Sequence, residues 1–211
     1  ATAGSPEATR RDGEVVVGYL GNFGAGQDLR TVVEAAARLR EWAPDVRFVL
    51  VGDGKEKPRV ERRAAELDVP NLSIHPPIEK ARTRAFYNDC DFCLVPLAPV
   101  PIFSETVPSK LFEILACERP VVASVTGEAA RVVEASGAGL VTPPGDADAL
   151  ARGILRLRDA VDREAMGRRG RRFVAEHYSR SALAERYLGL LERVAAGSAA
   201  AVEGCARHGG A

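Results

Sequence analysis

The sequence has 211 residues, 46% hydrophobic and 27% charged, which is a globular composition long enough to bury roughly 70% of its unfolded surface. Its 29 basic and 29 acidic residues cancel, excluding a whole-chain field that draws it to nucleic acid. No apolar run approaches the ~18 residues of a membrane span, and the polar residues 1–13 lack the apolar centre of a signal peptide.

In chain order, residues 15–20 form an apolar run bounded by Gly13 and Gly21, the first expected strand. Over 27–42, Leu29, Val32, Val33, Ala36 and Leu39 share one helical face. A second strand is expected at 46–51, ended by Gly52-Asp53-Gly54, followed by a helix at 55–68, a strand at 72–75 and a helix at 79–89. Residues 91–96 read as a fourth strand and 97–107 as a Pro-broken loop. Pro108 is expected as the first residue of a helix running to Cys117. Strands follow at 120–124 and 139–141, and Asp146 is expected to cap the helix carrying Leu150, Ile154 and Leu157. Helices at 162–176 and 180–195 close the pattern.

Strands that alternate with helices and lack internal polar alternation indicate a parallel sheet covered on both faces. The fold class is therefore α/β, a Rossmann-like doubly wound parallel sheet of about six strands over residues 14–195. Residues 1–13 and 196–211, small and polar or Ala/Gly-rich, are expected to be disordered. Doubly wound sheets bind ligands beyond the carboxyl ends of their strands, which directs attention to three segments.

The first strand ends in Gly21-Asn22-Phe23-Gly24, a turn that lets backbone N–H groups approach a phosphate or simply makes a tight connection. Its spacing differs from the G-x-G-x-x-G of dinucleotide enzymes. Glu105 and Glu113 flank the start of the helix at Pro108, where the N–H groups of Ser109, Lys110 and Leu111 and the Lys110 charge suit an anion. A carboxylate at Glu113 suits a ribose cis-diol, and Glu105 lies where it would reach a sugar beyond a diphosphate. The alternative is a Lys110–Glu113 surface pair of only ~0.3–0.5 kcal/mol.

Other signals read as structural. Cys90 and Cys93 lack the second pair of a zinc site and read as buried thiols suited to a reducing cytosol. Asp89-Cys90-Asp91 and Asp146-Ala147-Asp148 are chance D-x-D matches, since Asp91 opens a strand and Asp146 caps a helix. Arg163, Arg168, Arg169, Arg171 and Arg172 are interrupted by Glu164 and Glu176 and read as a solvated helix face. His75 reads as a structural histidine.

With these motifs in order, residues 14 to about 195 resemble the C-terminal, donor-binding domain of the family 4 (group 1) glycosyltransferases of GT-B fold. The resemblance rests on Gly21-Asn22-Phe23-Gly24 with Gln27, Val51-Gly52-Asp53-Gly54, Asp91 before the strand ending in Pro96, Pro108 to Glu113, Pro120 to Ser124 and Pro143-Pro144-Gly145-Asp146. The Gly-Asn-x-Gly and Pro-Ser-Lys-x-x-Glu forms resemble a bacterial subgroup near the fucosamine transferases of cell-surface polysaccharide synthesis.

The resemblance implies roles residue by residue. Glu105 and Glu113 match the E-x7-E pair that holds donor sugar and ribose. Gly21, Asn22 and Gly24 match the loop beside the diphosphate. Pro77 and Ile78 fall in the segment, starting at Pro76, whose backbone reads the uracil edge. Such enzymes usually need no metal or other cofactor and retain anomeric configuration. Two departures stand out: Tyr19 and Ala25-Gly26-Gln27 occupy places where many relatives carry a basic residue, and Glu118 replaces a helix-ending Gly. The acceptor half has no counterpart in these residues.

The expectation is thus a nucleotide-sugar donor domain, UDP-sugar by analogy, weak without an N-terminal acceptor domain or subunit. It would be cytoplasmic, with the inner membrane face reached through the full enzyme as an alternative. Two rivals are a non-catalytic partner subunit of a split transferase and a nicotinamide-dependent oxidoreductase using Asp53 on an adenosine ribose.

Overall fold

A computed structural model describes residues 13–206, with side chains through 195. Its strands are β1 (Val15–Asn22), β2 (Val46–Asp53), β3 (Leu72–His75), β4 (Phe92–Pro96), β5 (Val121–Ser124) and β6 (Gly139–Thr142). They form one parallel sheet in the order β3-β2-β1-β4-β5-β6. The order reverses beside β1, so the crevice between the carboxyl ends of β1 and β4 is the topological switch point.

The helices are α1 (Leu29–Trp42), α2 (Lys57–Glu66), α3 (Thr83–Asp89), α4 (Ser109–Ala116), α5 (Gly127–Ser136), α6 (Ala147–Arg158), α7 (Arg163–His177) and α8 (Arg180–Ala206). Alternate residues of β1 divide between the two faces. Val17 and Tyr19 join Val32, Val33 and Leu39 of α1 and Leu150, Ile154 and Leu157 of α6 in one buried cluster. Gly18 turns the other way, and a Cβ there would press on Cys90 and on the Phe86 ring of α3. The close approach of α3 to the sheet therefore depends on a glycine.

The six strands arise where expected, although β1 and β2 run two residues further, into the glycine turns that end them. Asp146 accepts the Ala149 N–H at 2.8 Å, as a helix cap should. Three expectations are corrected. Helix α5 was not anticipated, because its buried stripe consists of the small residues Ala129, Val132, Val133 and Ser136. The expected loop at 97–107 contains a 3-10 turn at Pro101–Glu105. Pro108 is the extended N-cap of α4, not its first helical residue (ψ 130°). Helix α8 runs to Ala206 through a stretch rich in alanine, the best helix former. The expectations for residues 1–12 and 207–211 lie outside the described residues.

Helix α4 ends on Glu118 in the left-handed region (φ 58°). Glu118 N–H donates to the Leu115 carbonyl at 3.0 Å and Arg119 N–H to the Ile114 carbonyl at 3.2 Å, the paired bonds of a Schellman ending. This is the conformation that a helix-ending glycine supplies without strain.

The chain divides into two compact units at Arg172/Phe173, within α7. In the second, Phe173 stacks edge-on against His177 at 4.8 Å. Helix α8 presents Leu183, Tyr187, Leu188, Leu190, Leu191 and Val194 to solvent. No helix among the described residues is long and apolar enough to cross a membrane.

Candidate donor-binding cleft

The carboxyl ends of β1 and β2 meet in register, Gly21 beside Gly52 and Asn22 beside Asp53. Both glycines are at positive φ, 155° and 150°. A Cβ on Gly52 would overlap the Gly21 carbonyl, so a glycine at 52 is what lets the two strand ends lie this close. Above them opens a cleft of about 550 Å³. It gathers Gly21 and Asn22 from β1, Pro77 and Ile78 from the loop after β3, and Ser109, Lys110 and Glu113 from α4. Asp53, Lys80, Thr83 and Tyr87 also line it. Of these, Lys80, Thr83 and Tyr87 carried no sequence signal.

Lys110 determines the electrostatics. Its ammonium donates to the Tyr19 hydroxyl at 2.9 Å and to Gln27 Oε1 at 2.7 Å, and sits 4.1 Å from the Tyr19 ring centroid. Burial depresses its pKa from 10.5 to about 8, against an opposing pull from the Glu113 carboxylate. The anticipated Lys110–Glu113 surface pair is thus not what forms: Lys110 turns inward across the fold. The Glu113 carboxylate is left exposed in the cleft.

Residues 14–160 match the family described as group 1 glycosyl transferases. The chain belongs to that family. Over 184 residues it is 26% identical to the α-D-kanosaminyltransferase of Streptomyces kanamyceticus, covering 87% of this chain and 47% of that protein. Against the probable glycosyltransferase WbjE of Pseudomonas aeruginosa it is 27% identical over 169 residues, 79% of this chain and 41% of the relative. The chain therefore spans about half the length of the curated relatives it matches. Among solved structures, the sucrose-phosphate synthase of Thermosynechococcus elongatus superposes with TM-score 0.73 at 27% identity, over 87% of this chain and 46% of that one. Anabaena HepE in complex with UDP superposes with TM-score 0.73 at 20% identity, over 86% and 49%, a likeness of fold.

Three anticipated site residues stand apart from the cleft. Gly24 borders a separate hollow of about 510 Å³ between α1 and α2. Leu111 is wholly buried, and its N–H donates to the Pro108 carbonyl at 3.0 Å. That amide is not free for an anion, because the N-cap carbonyl closes the first turn on it. Glu105 ends the 3-10 turn at Pro101–Glu105, exposed, with Ser104 Oγ donating to its Oε1 at 3.3 Å. It does not line the cleft.

The remaining polar signals serve the fold. Asp91 accepts the Val16 N–H at 2.7 Å, and Cys90 Sγ donates to the Phe86 carbonyl at 3.2 Å. Cys90 and Cys93 are buried and free, with burial first among the causes that push the Cys93 thiol up. Arg163 donates to the carbonyls of Leu157 and Arg158 at the end of α6, and Arg169 to that of Gly137 at the end of α5. His75 contacts Ser73 Oγ at 3.0 Å, and its pKa is lowered by burial and then by the Arg47 and Lys57 charges.

Proposed function

We propose that this domain binds the nucleotide-sugar donor, a UDP-sugar, of a retaining glycosyltransferase. One observation carries the reading: Lys110, Glu113 and the Pro77-Ile78 backbone converge on one cleft at the carboxyl edge of the sheet. In this arrangement the Lys110 ammonium and the Ser109 amide at the α4 N-terminus take the diphosphate. The Gly21-Asn22 turn, bare of side chain at Gly21, lets the phosphates approach the β1 end. Glu113 accepts both ribose hydroxyls, and Pro77 and Ile78 present backbone groups to the uracil edge. A fixed cation and helix end neutralise the phosphates without a metal. Glu105, beyond the cleft's rim, is the group for the transferred sugar, and an N-terminal acceptor domain or subunit completes the active site. The fold likeness to UDP-bound HepE supports uridine as the base. Cell-surface polysaccharide synthesis, at the inner face of the membrane, is the setting this reading assigns to the whole enzyme.

Calorimetric titration with UDP, GDP and NADH tests the reading. Saturable UDP binding that Glu113→Ala weakens supports it. Tighter binding of NADH would transfer the cleft, with Asp53 at its floor, to an oxidoreductase. Absence of any nucleotide binding would favour a partner-docking role.

A further inference from the structure

We infer that Tyr19 and Gln27 are positioning residues for the donor's phosphates, folding the Lys110 ammonium back from α4 onto the turn that ends β1. The inference rests on the donor-binding reading above and assigns the means by which its cation is aimed.

A lysine on an exposed helix start normally extends into water. Here two acceptors draw it inward. Tyr19 is wholly buried, with its ring edge-on to Phe23 at 5.9 Å. Its hydroxyl has one proton and two acceptors within reach, the Asn22 carbonyl at 2.7 Å and Gln27 Oε1 at 3.3 Å, and the shorter contact takes it. With the proton committed, the oxygen turns its lone pairs to the Lys110 ammonium. Gln27 Oε1, having no proton to give, supplies the second acceptor. An ammonium has three N–H groups. Two are held, and the third remains for an anion in the cleft that Lys110 lines.

Glycine makes the arrangement sterically admissible, because a Cβ at Gly21 would lie 2.6 Å from Lys110 Nζ. The same hydroxyl that orients the cation also pins the Asn22 carbonyl, so turn and charge are set by one side chain. This accounts for the missing basic residue in the glycine loop: the charge arrives from α4 and is placed at the end of β1. The charged groups sharing the cleft are Glu113, Asp53 and Lys80. Of these, Glu113 is the one that favours the protonated amine, while burial opposes it.

The test is a double-mutant cycle on UDP affinity at pH 7. Tyr19→Phe, which keeps the ring and its packing, and Gln27→Ala should each weaken UDP about 3- to 10-fold, as loss of one hydrogen bond to the cation implies. In a Lys110→Met background neither should have a further effect. Gln27→Glu should move the pH at which UDP affinity falls to a higher value, a change that a merely structural residue would not produce. Equal losses in the Lys110→Met background would overturn the inference. Should the wild type bind neither UDP nor GDP, the donor reading fails, and the clamp is still read without ligand. The chain's lysines are Lys55, Lys57, Lys80 and Lys110, so the 13Cε signal of Lys110 can be assigned and titrated. It should titrate near pH 8 in the wild type and higher in Gln27→Glu. A Lys110 titration unmoved by any of these substitutions would overturn it.

Discussion

The backbones of Gly21 and Gly52 approach so closely that a Cβ on Gly52 would overlap the Gly21 carbonyl oxygen. Two parallel strand ends are thereby locked together beneath the cleft, and the obstacle to substitution is backbone, which cannot swing aside. At φ 150° Gly52 also has a conformation that L-residues rarely adopt. Gly52→Ala should lower unfolding free energy by about 2–3 kcal/mol, from strain and overpacking together. Urea denaturation checks this. A loss under 0.5 kcal/mol would mean that the strand ends part easily.

Glu118 offers the opposite case, a residue whose replacement should help. Its left-handed conformation costs ~1 kcal/mol that glycine avoids. Its carboxylate pairs with Arg171 at 2.8 Å, but both side chains are well exposed, at 41% and 60%, and such pairs contribute little. Glu118→Gly should therefore raise stability by about 0.5–1 kcal/mol net. Thermal unfolding of the variant at a higher midpoint is the expected result, and a lower one would show that the ion pair outweighs the backbone strain.

The desolvated Lys110 makes stability depend on pH in a definite direction. Its pKa is about 8 folded against 10.5 unfolded, so between these values the unfolded chain binds more proton. Stability from this group rises as pH climbs from about 8 toward 10.5, and its full penalty is present below 8. Lys110→Met removes that slope. Compared at pH 7 and 9.5, the urea midpoint of the wild type should gain on that of the variant. Parallel behaviour of the two proteins would mean that Lys110 titrates as a solvated amine.

Much of the sheet was legible because parallel strands are covered on both faces and read as unbroken apolar runs. Phe48 to Val51 is such a run, and it forms the buried middle of β2. The glycine turns and the Pro108 to Glu113 segment were legible for a related reason, since backbone constraint and charge are local in sequence. What escaped was non-local or small. The buried face of α5 carries too little apolar surface to mark a period. The Tyr19 and Gln27 contacts to Lys110 cross 91 and 83 residues, and nothing local in the chain marks them. Leu111 was expected to offer its amide because helix starts leave four N–H groups unpaired; a single i→i−3 bond to Pro108 removed it.

The two carboxylates of the E-x7-E spacing should separate experimentally, because the fold places only one of them in the cleft. Glu113 lies on the exposed face of α4 beside Lys110, whereas Glu105 sits on the preceding 3-10 turn with Ser104. Glu113→Ala removes an ionised acceptor of two hydroxyl hydrogen bonds and should weaken UDP by roughly 10- to 100-fold, the equivalent of ~1.5–3 kcal/mol. Glu105→Gln should leave the affinity for UDP within about twofold, since UDP ends before the sugar. Its effect should appear only as a loss of the added affinity of a UDP-sugar over UDP. Competition of the two ligands, measured by calorimetry on wild type and both variants, makes the comparison. If Glu105→Gln weakens UDP itself as much as Glu113→Ala does, the 3-10 turn folds over the nucleotide when it binds, and Glu105 belongs to the diphosphate site.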